Sequence, residues 1–217
     1  MSSLLSFIRK LPIILFFALI TGTCAIADEL SPDAVIGKIT ADVLESVQND
    51  RELRAGNREK VLALAEAKVL PHMDFARLTR LATGKHWREA TPSQRDGLMR
   101  EFRRLLIHTY SNAIGAYKGQ TLVVEPLHME QGDTDVEVHS KYLRPGAAPL
   151  SVEYSMGKTA EGWKVYDIAI EGVSLVMTYR TEFSEEIKRS GLNGLVAKLQ
   201  EKNLQTTRRT NKSSPVS

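Results

Sequence analysis

Hydrophobic positions along this chain fall into three successive regimes: helical spacing, then strict alternation, then helical spacing again. Ser31-Pro32-Asp33 reads as a helix start, with an N-cap, a proline at the first helical position and an acid near the positive dipole end. Val35, Ile36, Ile39, Val43 and Val47 follow as an apolar stripe. A second helix is predicted from near Asn57 through Val61, Leu62, Leu64 and Ala65, stopping before Pro71. A short one spans Asp74 to Ala82 and ends at Gly84, with Lys85-His86-Trp87-Arg88 in the connection after it. Thr91-Pro92 opens the longest helix, whose Leu98, Met99, Phe102, Leu105, Leu106, Tyr110, Ala113 and Tyr117 recur at three- and four-residue steps up to Gly119.

From Thr121 the period becomes two. Leu122 and Val124 form one strand face; Val136, Val138 and Tyr142 another; Leu150, Val152, Tyr154 and Met156 a third; and Trp163, Val165, Tyr166, Ile168 and Ile170 the last strand. Short turns at Gln131-Gly132-Asp133, Pro145-Gly146 and Glu161-Gly162 imply antiparallel hairpins. The fourth strand is apolar on both faces, which predicts a central position covered on both sides. After Gly172, Val176, Tyr179, Phe183 and Ile187 restore the helical period, and Leu192, Leu195, Val196 and Leu199 carry a final helix. The expected fold is α+β: a curved four-stranded antiparallel sheet packed with about six to seven helices.

The ends add a compartment. Arg9 and Lys10, the apolar run Leu11 to Ile20, and Ala25-Ile26-Ala27 read as a secretory signal over residues 1–27, cut before Asp28. Residues 28–204 then form the folded domain, and 205–217 a disordered polar tail. Cys24 leaves with the signal, so the mature chain owes nothing to disulfides. The formal charge of +3 falls to +1 on cleavage and to about −2 without the basic tail, which excludes an extensive nucleic-acid face.

Catalytic motifs are sparse. There is no His-Glu-x-x-His pair, no Cys-His zinc spacing and no Gly-x-Ser-x-Gly elbow. Met156-Gly157-Lys158-Thr159 lacks the first glycine of a phosphate loop, Val152 standing there, and leads into a hairpin. His128 and His139 lack a third metal ligand and read as exposed strand histidines. Asp167, amid apolar neighbours, fits either a general base or, more simply, a hydrogen-bonded structural acid. Tyr110, Tyr117, Tyr154 and Trp163 are apolar bodies with one polar handle, suited to a cavity with an oily interior and a wet mouth.

Two blocks carry a family resemblance. Gly84-Lys-His-Trp87-Arg88-Glu-Ala-Thr91-Pro with the long helix to Tyr110, and Trp163-Lys-Val-Tyr166-Asp167 through Glu171-Gly172-Val-Ser174 to Tyr179-Arg180-Thr-Glu-Phe183, resemble the MlaC (toluene-tolerance) family over roughly residues 30–203. The resemblance implies a periplasmic, non-enzymatic phospholipid carrier whose sheet is similar to the nuclear-transport-factor-2 type. It implies no cofactor beyond bound phospholipid as cargo. The implied partners are an inner-membrane ABC transporter complex with a ring-shaped lipid-binding subunit and an outer-membrane lipoprotein–porin complex, in the service of outer-membrane lipid asymmetry. A hopanoid-associated branch is similar, so a hopanoid-type cargo stays open, as does a small enzyme built around Asp167. On the carrier reading the tails lie between the long helix and the concave sheet face. The expected lining is Leu105, Leu106, Tyr110, Val124, Val138, Val152, Tyr154, Trp163, Val165 and Val176.

Overall fold

A computed structural model describes residues 30–115, 120–144 and 146–213. The predicted signal, Tyr117, Gly119 and the final four residues lie outside them. Seven helices and one antiparallel sheet are present among the described residues. The helices are α1 (Pro32–Asn49), α2 (Arg51–Arg54), α3 (Arg58–Leu64), α4 (Phe75–Thr83), α5 (His86–Glu89), α6 (Pro92–Gly115) and α7 (Leu175–Ser213). The strands β1 (Thr121–Val124), β2 (Asp135–Arg144), β3 (Ala147–Thr159), β4 (Gly162–Ile170) and β5 (Val173–Ser174) pair in chain order.

The sheet therefore has five strands, not four. The fifth is a two-residue pairing of Ile170 with Val173 and Ala169 with Ser174, too short to leave an alternating pattern. β3 is central, and β4 lies next to the edge. The apolar outer positions of β4 have another cause. Its register shifts between Ser155 and Met156, leaving Tyr166 as an extra residue. The Arg77 guanidinium lies 3.6 Å from the centre of the Tyr166 ring. Gly157 admits Arg77, because a Cβ there would sit 2.5 Å from its Nη1. The segment around Gly157 is thus strand interior.

Local chemistry explains the helix starts. Thr91 and Gln94 form a reciprocal capping box at α6: the Thr91 amide donates to Gln94 Oε1 at 2.9 Å, and the Gln94 amide to Thr91 Oγ1 at 3.3 Å. Asp74 Oδ1 accepts the Arg77 amide at 2.8 Å to open α4. Asn57 opens α3, as its sequence predicts, but the chain then passes through a π-helical turn and a 3₁₀ turn before Asp74. The predicted connection after Gly84 contains the single turn α5.

Two cores result. Phe102 and Leu98 of α6, Leu78 of α4, and Tyr179, Phe183, Leu195 and Leu199 of α7 close a helical core. Val35 and Ile36 of α1 close the second against Val138, Met156, Trp163 and Val165 of the sheet. Met73 packs against both.

Gly191, at φ 70° and ψ −179°, breaks α7 where only glycine fits without strain. Glu186 braces the break, accepting Ser190 Oγ at 2.6 Å and pairing with Lys198 and Arg189. The second arm is tied to α6 by Asn203, whose amide donates to the Glu101 carbonyl at 2.9 Å and to its Oε2 at 3.0 Å. This arm stays helical to Ser213, past the expected start of a structureless tail. Its first turns are held by α6, and side chains such as Gln205, which donates to Glu201 at 2.9 Å, support the next turn on a solvated helix.

Lys198 and Ser190, with Arg189, hold the Glu186 carboxyl at about 2 against an ordinary 4.5. The unfolded chain takes up that proton at higher pH than the folded one. The contribution is therefore complete above pH 4.5 and is lost as pH falls toward 2. Glu186→Gln should lower denaturant stability at pH 7, and the difference from the parent should close across that window.

Candidate functional site

The antiparallel register puts Leu122, Tyr142, Leu150, Val152, Tyr154, Ile168 and Ile170 on the same sheet face as Val138, Met156, Val165 and Trp163. The opposite face presents Glu137, His139 and Lys141 to solvent. One helical stripe, from Val35 to Val47 of α1, lies along the apolar face. Its first turn is packed, with Val35 and Ile36 meeting the sheet directly. Its last turn leaves the sheet, because Val47 packs with Leu53, Val61 and Leu64 of α2 and α3.

Between these two anchorages the helix bridges a cavity of about 430 Å³. α1 supplies Ile39, Thr40, Val43, Leu44 and Val47; the sheet supplies Leu122, Tyr142, Leu150, Val152, Tyr154, Ile168 and Ile170. Among the described residues no charged side chain lines it. The Thr40 hydroxyl is committed to the Ile36 carbonyl at 2.9 Å. Burial raises the Tyr154 phenol above its ordinary 10.0, and a hydrogen bond with Ser140 opposes part of that rise. Ile170, 45% exposed, marks the rim. A hollow lined this way favours apolar matter over a charged substrate.

Of the residues expected from sequence, Val152 and Tyr154 line this cavity. Val138, Trp163 and Val165 are farther along the same face, in the packed core beneath Val35 and Ile36, with Val124 beside them. Leu105, Leu106 and Val176 are buried in the helical core, and Tyr110 is 44% exposed. Among the described residues the apolar cavity lies under α1, and not between the long helix and the sheet as expected. The reason is competition for partners: the α6 stripe is filled by α4 and α7, leaving the sheet to α1. The sheet residues Leu122, Tyr142, Leu150, Ile168 and Ile170 were legible as neighbours of Val152 and Tyr154 by alternation. The contributions of Ile39, Val43 and Leu44 required knowing which helix crosses the sheet.

Asp167 is placed on the face opposite Tyr154 and Ile168. Its carboxylate accepts the Ile168 amide at 2.8 Å, the Val176 amide at 3.0 Å and the Ser174 hydroxyl at 2.5 Å. It ties the first turn of α7 to β4 and does not point into the cavity. His139 pairs with Glu137 at 3.4 Å on the solvated face, and His128 is exposed beyond the end of β1. No group of three or more metal-ligating side chains occurs among the described residues.

Comparison with known proteins gives concordant matches. The family model described as MlaC protein matches residues 38–201. Toluene tolerance protein ttg2D of Pseudomonas putida is 24% identical over 162 residues, 74% of this chain and 75% of that one. The intermembrane phospholipid transport system binding protein MlaC of Haemophilus influenzae is 22% identical over 187 residues, 84% of this chain and 86% of that one. A phospholipid-binding protein from Ralstonia solanacearum, solved in complex with a phospholipid, superposes with a TM-score of 0.77 at 38% identity, covering 82% of this chain and 99% of that one.

Asp167→Ala leaves the Val176 and Ile168 amides without their acceptor. It should cost about 1–2 kcal/mol of stability, read by chemical denaturation, as loss of a helix cap does.

Proposed function

Because the chain belongs to the MlaC family, we propose that it is a periplasmic phospholipid carrier that holds acyl chain in the cavity beneath α1. The observation that carries this reading is the uncharged, apolar hollow of about 430 Å³. At about 30 Å³ per methylene, close to the share of liquid volume of one water, it accommodates about 14 methylenes, one fatty chain. The 38% identical neighbour solved with a phospholipid supports the choice of ligand.

The physical task explains the architecture. A chain of about 14 methylenes leaving a bilayer for water faces roughly 11 kcal/mol. A hollow of similar apolarity removes most of that barrier, and delivery requires that it not bind far more tightly than the membrane. Half-buried aliphatic side chains on α1 and the sheet supply contact without directional hydrogen bonds, which suits a cargo that must leave again. The headgroup remains at the rim near Ile170, outside the apolar interior. Loading and unloading partners are an inner-membrane ABC transporter complex with a ring-shaped lipid-binding subunit and an outer-membrane lipoprotein–porin complex. Through them the carrier serves outer-membrane lipid asymmetry. Residues 1–27 direct it to the periplasm as a secretory signal and are then removed. Asp167 plays no chemical part, since its acceptors are engaged by the start of α7 and by its own strand.

Protein purified without detergent should yield phospholipid to solvent extraction and mass spectrometry. Recovery of no lipid from folded protein would refute the carrier reading. Val43→Asp and Val152→Asp each place a charge in the hollow and should abolish recovery, whereas Val123→Asp, on the opposite sheet face, should leave it unchanged. If a folded Val43→Asp variant carries the normal amount of lipid, the cavity assignment is wrong.

A further inference from the structure

A second depression, of about 490 Å³, lies on the helical layer and shares no lining residue with the cavity under α1. Arg80 of α4, Lys85 and Arg88 around α5, and Arg180 of α7 converge on it, with Leu81, Gly84 and Trp87 between them. Among the described residues no acidic side chain lines it.

The turn is built to bring these cations together. Gly84 has φ +63°, and a Cβ there would come within 3.2 Å of Arg180 Nε, so the missing side chain lets that guanidinium lie against the turn. Arg95 fixes α5 from behind, donating from Nε to the Trp87 carbonyl at 3.2 Å and from Nη2 to the Arg88 carbonyl at 3.4 Å. Its guanidinium lies 5.4 Å from the Trp87 ring centre.

Several cations elsewhere are paired: Arg77 with Asp135, Arg100 and Arg104 with Glu101, Arg189 and Lys198 with Glu186. Among the described residues, the side chains of Arg80, Lys85, Arg88 and Arg180 form no such pair, and the nearby Glu89 is engaged by His86 at 3.3 Å. Like charges converging on one hollow repel, and an anion in it relieves that repulsion.

We propose that this pocket binds a phosphate monoester. Three guanidiniums and an ammonium exceed what one carboxylate neutralises, whereas a dianionic phosphate offers three acceptor oxygens to forked donors. The half-buried Trp87 and Leu81 provide an apolar wall for the carbon side of the ester. The same group is available from a soluble metabolite or from a lipid headgroup at a bilayer surface. The site is independent of the cargo cavity and stands whether or not that cavity carries lipid.

Calorimetric titration with glycerol 3-phosphate and co-sedimentation with phosphatidylcholine vesicles, with and without phosphatidic acid, separate the two sources. Binding of the soluble ester identifies a solute site. Binding only to vesicles containing phosphatidic acid identifies a headgroup site. In either case Arg88→Gln and Arg180→Gln, both exposed positions, should weaken binding about tenfold each without changing the melting temperature or the recovered lipid. Lys141→Gln, removing a cation paired with Glu125 at 2.8 Å on the sheet, should have no effect. The proposal is overturned if neither form binds, if the arginine variants bind as the parent does, or if polyglutamate alone binds.

Discussion

The two-point anchorage of α1 on the sheet governs the rest of the structure. A helix packed along its whole length would fill the space beneath it, because protein interiors approach the density of organic crystals. Here Val35 and Ile36 seat one end on the sheet, while Val47 is drawn to Leu53, Val61 and Leu64 at the other. The middle of the helix is held at a distance by its ends. Ile39 and Val43 each pack partly against one anchoring cluster, and with Leu44 they turn their remaining apolar surface to a hollow, where it is available to an apolar guest.

Holding such a void open requires rigidity elsewhere. Phe102 supplies it in the helical layer, meeting Tyr179 and Phe183 edge-on with ring centres 4.7 and 4.9 Å away. Glu101 and Glu186, buried there, are hydrogen-bonded: Asn203 donates to Glu101, and Ser190 and Lys198 donate to Glu186. Asp167 links the layers, since one carboxylate on β4 fixes the first turn of α7. An acid that sequence alone leaves open between catalysis and structure is thereby given a structural task by three short contacts.

The molecule keeps two kinds of chemistry apart. The face under α1 excludes charge, whereas the turn between α4 and α5 collects it. Different layers of the fold carry them, and the two hollows share no lining residue. This separation also explains why a small overall formal charge of +3 conveys little about local surfaces.

The amino-acid sequence by itself determined the elements, because periodicity is a local property. The stripe from Val35 to Val47, the alternation from Leu122 to Ile170 and the cap at Thr91 are each set by residues close in the chain. It also determined which face of the sheet is apolar, and hence that Val152 and Tyr154 point inward. Only the tertiary structure decided which helix covers that face. α1 and α6 carry stripes of similar quality, and periodicity does not state a partner; α6 was taken by Leu78, Tyr179 and Phe183, residues distant in sequence. The position of the void was likewise invisible, since a side chain lining a hollow and one packed in a core obey the same pattern. The distinction depends on whether opposing atoms arrive, and that is settled by where the two ends of α1 are held.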